Sequence, residues 1–121
     1  MKYDGEMDPE CIPLCDAINR IPGVDTTESC CGHGNGTFRV FFHIKDQRTV
    51  SILLYFIDPC HVGFRWDCKV FTDCSMQLAC YYIESNTEGK EAYDQANEIT
   101  ENINKFMDNE FDEWFEDRKQ G

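Results

Sequence analysis

The chain reads as one α+β domain: two αββ units and a C-terminal helix, giving a four-stranded antiparallel sheet with its helices packed on one face. Three observations predict this. Apolar residues recur at helical spacing in some stretches and alternate with period two in others. The alternating stretches come in two pairs, each joined by a short loop, as hairpins are. No linker or low-complexity segment divides the 121 residues, and a chain of this length buries roughly two thirds of the surface it exposes when unfolded.

Residues 1–8 are polar and acidic and read as a flexible N-terminus. PECIPLCDAINRI, residues 9–21, is the first helix: Asp8 caps it, Pro9 suits its first turn, and Ile12, Leu14, Cys15 and Ile18 form an apolar face. Pro22-Gly23 ends it, and the Val- and Thr-containing stretch from Val24 to Cys30 is a strand. A glycine-rich loop leads to TFRVFFHI, residues 37–44, with Phe38, Val40, Phe42 and Ile44 on one face. In DQRTVSILLYFI, residues 46–57, Val50, Leu53, Leu54 and Ile57 fit a helix starting near Asp46; the β-branched and aromatic content also suits a buried strand, and helix is adopted. Pro59 stops it. HVGFRWDCKVFT, residues 61–72, alternates with Val62, Phe64, Trp66, Cys68 and Val70 on one face; DCSM turns the chain and QLACYYIES is the partner strand. From Glu88 onward Ala92, Ala96, Ile99, Ile103, Phe106 and Met107 recur at helical spacing under an acidic outer face, so residues 88–118 form a long acidic helix.

Asp and Glu number 23 against 11 Lys and Arg, a formal net charge of −12. Such a surface repels phosphate backbones, which disfavours direct nucleic-acid binding. It draws basic partners instead, including the positively charged nucleic-acid channels of other proteins. Plain solubility is the bland account of the same charge. The N-terminus carries no basic and apolar leader pattern, and no apolar run approaches the roughly 20 residues that span a bilayer. The expectation is a cytoplasmic protein without a membrane partner.

ESCCGHGNG, residues 28–36, sets two of the chain's eight cysteines and a histidine among three glycines. Thiols in a reducing compartment seldom pair stably, which leaves metal binding, catalysis or burial. If each helix runs antiparallel to its neighbouring strand, one end of the molecule gathers Cys11, Cys30, Cys31, His33 and Cys60, with Cys15 a turn below and His61 adjacent. Cys74 falls at the far end, and Cys68 and Cys80 lie in strand interiors, where burial explains them. Thiolates and imidazole hold Zn2+ tetrahedrally at about 2.3 Å and about 2.0–2.1 Å. Gly32, Gly34 and Gly36 permit a tight ligand loop. Cys30-x2-His33 or Cys31-x-His33 supplies two ligands, and Cys11 and Cys60 complete four. The choice of four stays open, as does a closed structural site against one open to water.

Catalysis finds less support. Cys30 or Cys31 with His33 resembles a thiolate–imidazole pair, and Glu28 is placed to assist a zinc-bound water. No HExxH, phosphate-binding loop or GxSxG is present, and DPCHV lacks the second cysteine of the deaminase pattern. The chain reads as a non-enzyme, with a small zinc-dependent, hydrolase-like enzyme as the alternative.

IPGVDTTESCCGHG, FRVFF, DPCHVGFRW and TDCSM together resemble a group of small proteins encoded by phages and prophages, over about residues 11–104. Cys11, Cys30, Cys31, Gly32, His33, Cys60 and Cys74 fall on that pattern. It includes the Cys74 that the topology sends away, so Cys74, with His61, ranks below the other candidate ligands. Within phage repertoires a small, acidic, zinc-containing protein is similar to the anti-CRISPR proteins. That resemblance implies an inhibitor of type II systems acting on Cas9 in the host cytoplasm and interfering with its DNA binding, since Cas9 holds nucleic acid in a basic channel. FMDNEFDEWFED, residues 106–117, marks the expected contact surface: Phe111, Trp114 and Phe115 as aromatic anchors, with Asp112, Glu113 and Glu116 as an acidic rim. An amphipathic helix that covers the sheet is the bland account of the same run.

Overall fold

Period-two alternation builds the sheet. The computed structural model describes residues 9–30, 36–72 and 79–120, and its strands are β1 (Val24–Cys30), β2 (Thr37–Ile44), β3 (Trp66–Thr72) and β4 (Ala79–Glu88). They form one antiparallel sheet in the order β1-β2-β4-β3. Val40 stands opposite both Ser29 and Ile83, and the fully buried Phe38, Val40, Phe42 and Ile83 share the face that meets the helices. Arg39, Phe41, His43, Tyr82 and Glu84, at the alternate positions, take the other face and are only half buried.

A 3-10 turn, Pro9–Cys11, leads into α1 (Ile12–Asn19), which buries Leu14, Cys15, Ala17 and Ile18. Side-chain bonds fix α1 antiparallel to β1. Asn19 accepts from the Thr26 backbone N–H at 2.8 Å and donates to the Thr26 hydroxyl at 2.9 Å, while Cys15, a turn earlier, lies beside Ser29. α3 (Gly89–Asn109) lays Ala92, Ala96, Ile99 and Ile103 over β2 and β4 and beside α1. The two alanines permit close approach of backbones, and each fully buried isoleucine contributes about 1.5–3 kcal/mol of transfer free energy. Trp66 donates its indole N–H to Gln95 at 2.9 Å, tying β3 to α3.

α2 (Gln47–Tyr55) starts at Asp46, whose carboxylate accepts from the Arg48 backbone N–H at 2.9 Å; the Arg48 guanidinium also holds that carboxyl below the usual carboxylate range. Asp46 lies against Gly23, whose φ of +84° only glycine adopts without strain. Lys45 N–H donates to the Gly23 carbonyl and the buried Thr49 hydroxyl to the Pro22 carbonyl, so the turn after α1 sets the start and rotation of α2.

Four expectations need correction. α2 buries Thr49, Ile52 and Leu53, followed by Ile57, whereas Leu54 is 38% exposed. Positions 49, 52, 53 and 57 fit a helical stripe as well as 50, 53, 54 and 57 do, and the Thr49 hydrogen bond selects the former. β3 begins at Trp66 rather than His61, because the Asp58 carboxylate accepts from Cys60 N–H at 2.9 Å and its carbonyl from His61 and Val62, closing a turn. Cys68 and Val70 share the Trp66 face yet are exposed, Val70 to 63%. β3 is an edge strand, and α3 packs chiefly on β2 and β4. The helical run over 88–118 is interrupted at Glu110 (φ −127°, ψ −17°), and α4 (Phe111–Gln120) follows. The break turns Phe111 and Trp114 back toward Phe106. Asp8, residues 1–8 as a whole and the DCSM turn lie outside the described residues.

Candidate functional site

The interrupted helix makes a cavity of about 490 Å³ where α2, α3 and α4 meet. α2 supplies Ser51, Ile52 and Tyr55, and its C-cap supplies Phe56. Phe106 of α3, Glu110 at the break and Trp114 of α4 complete the lining. The rings stand nearly at right angles: Phe56 to Phe106 at 67° with centroids 6.1 Å apart, and Phe106 to Trp114 at 78° and 5.9 Å. In such edge-to-face packing the positive edge of one ring meets the negative face of the other. Tyr55 is 50% exposed and stacks on His61 at 3.8 Å.

Of the aromatic anchors expected from sequence, Trp114 lines this cavity. Phe111 and Phe115 stack on each other at 5.2 Å, Phe111 also lies 6.2 Å from Trp114, and the Arg48 guanidinium sits 5.2 Å over the Phe115 ring. All three rings are half buried, while Asp112, Glu113 and Glu116 are exposed as a rim. Tyr55, Phe56 and Glu110 were not among the residues singled out from sequence. The aromatic pair past the apolar stripe of α2 was the available signal, but pairing it with Phe106 required the helix arrangement.

An acidic band runs along α3 and α4 and reaches the cavity at Glu110. Glu91, Asp94, Glu98, Glu101, Asp108, Glu110, Asp112, Glu113, Glu116 and Asp117 are all exposed, against Lys90 and Lys105 over the same stretch. Lys90 pairs with Asp94 at 2.7 Å, and Arg20 of the first helical segment pairs with Asp108, so part of the band is neutralised internally.

Of the expected metal ligands, Cys11 and Cys60 lie in different surroundings. Cys11 and Cys15 are fully buried, and burial pushes the Cys15 thiol up in pKa, partly offset by the neighbouring Ser29 side chain. Because Asn19 meets Thr26 and Cys15 meets Ser29, Cys11, one helical turn earlier, comes to the end of β1 that Cys30 closes. Cys31, His33 and Cys74 lie outside the described residues. Cys60 is exposed in the turn after α2, and His61 rests on Tyr55 beside the cavity. That cavity adjoins the C-terminal end of α3, where Arg20, following α1, donates to the Asn104 side chain at 3.0 Å. His61 therefore lies toward the opposite end of α1 from Cys11. The nine-residue α2 spans only about 13 Å and leans its C-cap Phe56 on Phe106 instead of climbing the sheet beside α1. Among the described residues no three His, Cys, Asp or Glu side chains form a group suited to a metal ion.

One Cys–His contact does form. His43 Nε2 lies 3.2 Å from Cys80 Sγ, across β2 and β4 on the face away from the helices. Cys80 is buried, as its strand position predicted; its partner was not foreseen because the sequence does not reveal that β2 and β4 are neighbours. No helix among the described residues is long and apolar enough to cross a membrane. Comparisons with protein-family models, curated proteins and solved structures find no match to this chain.

Proposed function

We propose that the protein acts by binding another protein, presenting its acidic helical surface to a basic, nucleic-acid-handling partner and competing with nucleic acid for it. The Cas9-type nuclease implied by the sequence resemblance is the partner to test first, with the protein as an inhibitor of its DNA binding. The observation that carries this reading is the ten exposed carboxylates along residues 91–117, beside an aromatic-lined cavity. Clustered charge of one sign steers association with an oppositely charged surface and repels a phosphate backbone.

The test is binding of the full chain to Cas9-type nucleases, with and without target DNA, across ionic strength. Binding should weaken as salt shortens the Debye length below about 8 Å, its value at physiological ionic strength, and prior loading with DNA should compete. Affinity indifferent to both salt and DNA would overturn the reading.

A zinc ion near the C-terminal end of β1 is a second, compatible proposal. The α1–β1 register favours it by carrying Cys11 toward the end of β1 at Cys30, which Cys31 and His33 follow in sequence. Thiolate donors suit zinc, which would there join α1 to the first hairpin.

A further inference from the structure

The cavity points to what such a partner inserts. Resting on the protein-binding reading above, we propose that the space between α2, α3 and α4 receives a cationic side chain of the partner, an arginine or lysine, with its charged head among the rings of Tyr55, Phe56, Phe106 and Trp114 and opposite the Glu110 carboxylate.

A cation is attracted to the negative face of an aromatic ring, most strongly of tryptophan, and the attraction grows where water is excluded. Tyr55, Phe56, Phe106 and Trp114 line the cavity in different orientations, so a guanidinium or ammonium group seated there lies near more than one ring. The lining carries a single carboxylate, Glu110, and no lysine or arginine. Glu110 is exposed and keeps its contact with water, and a cation in the cavity pairs with it where a neutral occupant does not. The same aromatic cluster already holds a guanidinium, that of Arg48 over Phe115. Arg48 is committed there by bonds to Asp46 at 3.0 and 2.8 Å. The volume of about 490 Å³ falls within the usual range of ligand sites, and the buried Ile52 offers an apolar surface for the methylene stem.

The assay titrates the full chain with N-acetylarginine methylamide and with choline, a compact cation, and compares choline with 3,3-dimethyl-1-butanol, its neutral isostere. The Trp114 indole N–H signal, assigned by its loss in Trp114→Phe, reports occupancy; that of Trp66 is bonded to Gln95 and serves as internal control. Saturable shifts with both cations are expected, with the neutral isostere at least about tenfold weaker. Glu110→Gln and Tyr55→Leu, both at exposed positions, should weaken cation binding about tenfold or more while unfolding at unchanged temperature. Equal binding of the isostere, or no saturable shift with either cation, overturns the proposal. A basic partner that binds wild type, Glu110→Gln and Tyr55→Leu alike also overturns it, leaving the acidic-surface reading intact; cation binding without any basic partner does the reverse.

Discussion

Replacing Gly23 by alanine tests how the turn after α1 places the wall of the cavity. Gly23 has φ +84°, and a residue with a Cβ pays about 1–2 kcal/mol for left-handed backbone. A Cβ built there falls 2.6 Å from the Asp46 Cβ and 2.9 Å from its backbone nitrogen, closer than packed atoms approach. Relieving that contact moves backbone, which by analogy with overpacked cores adds on the order of 1–3 kcal/mol. The total, about 2–5 kcal/mol, corresponds to a fall in Tm of at least roughly 6 °C for a domain of this size. Because Asp46 begins α2, the shift also reaches Tyr55 and Phe56, and choline binding should weaken with the fold still formed. Gly63→Ala is the control: nothing lies within 4 Å of its Cβ, and stability should change by less than about 0.5 kcal/mol. Thermal and urea unfolding followed by circular dichroism measure both. If Gly23→Ala unfolds with Gly63→Ala, the close approach of the turn to Asp46 does not govern α2.

Glu84→Gln should flatten the acid side of the stability profile: Lys69 at 2.9 Å and then the Thr37 hydroxyl at 2.7 Å hold the carboxyl below its ordinary value of 4.5. The folded state binds fewer protons than the unfolded chain, so the contribution is complete above about pH 4.5 and lost as pH falls through the lowered value. Urea midpoints measured through the acid range that match wild type in shape would refute it. For the zinc proposal, Cys11→Ser should reduce metal content and melting temperature together, whereas Cys60→Ser should leave metal content unchanged, since Cys60 is exposed in the turn after α2, beside the His61 that stacks on Tyr55. Elemental analysis of the purified chains decides, and loss of zinc in Cys60→Ser would show that the turn after α2 reaches the metal.

What could be read from the sequence was local. β1 and β2 have the limits expected because alternation of Phe38, Val40 and Phe42 admits one register against a buried face, and α3 follows its stripe of Ala92, Ala96, Ile99 and Ile103. α2 was legible as a helix but not in its rotation, since two overlapping stripes both fit helical periodicity and a hydroxyl bonded across the turn chooses between them. The Val62–Val70 alternation overran β3 at one end, where the Asp58 turn takes up the backbone, and misjudged burial at the other, where the edge strand lacks cover. At the site, the aromatic and acidic run of residues 106–117 was visible in composition. Tyr55 and Phe56 join it through tertiary packing, and the direction of α2, which no spacing encodes, sets Cys60 in the exposed turn beyond it.

The interruption at Glu110 leaves Trp114 on a helix of ten residues joined to the body at one end. A helix that short is marginal by itself in water, so α4 holds its form by lodging Phe111 and Trp114 against Phe106, with Phe115 under Arg48. Occupancy and the docking of α4 are consequently two readings of one equilibrium. A molecule that binds only the docked form stabilises it by RT ln(1 + [L]/Kd), and amide exchange along α4 slows by the same factor wherever detachment is the route to exchange. A wall that detaches raises the apparent Kd in inverse proportion to the fraction of time it spends docked.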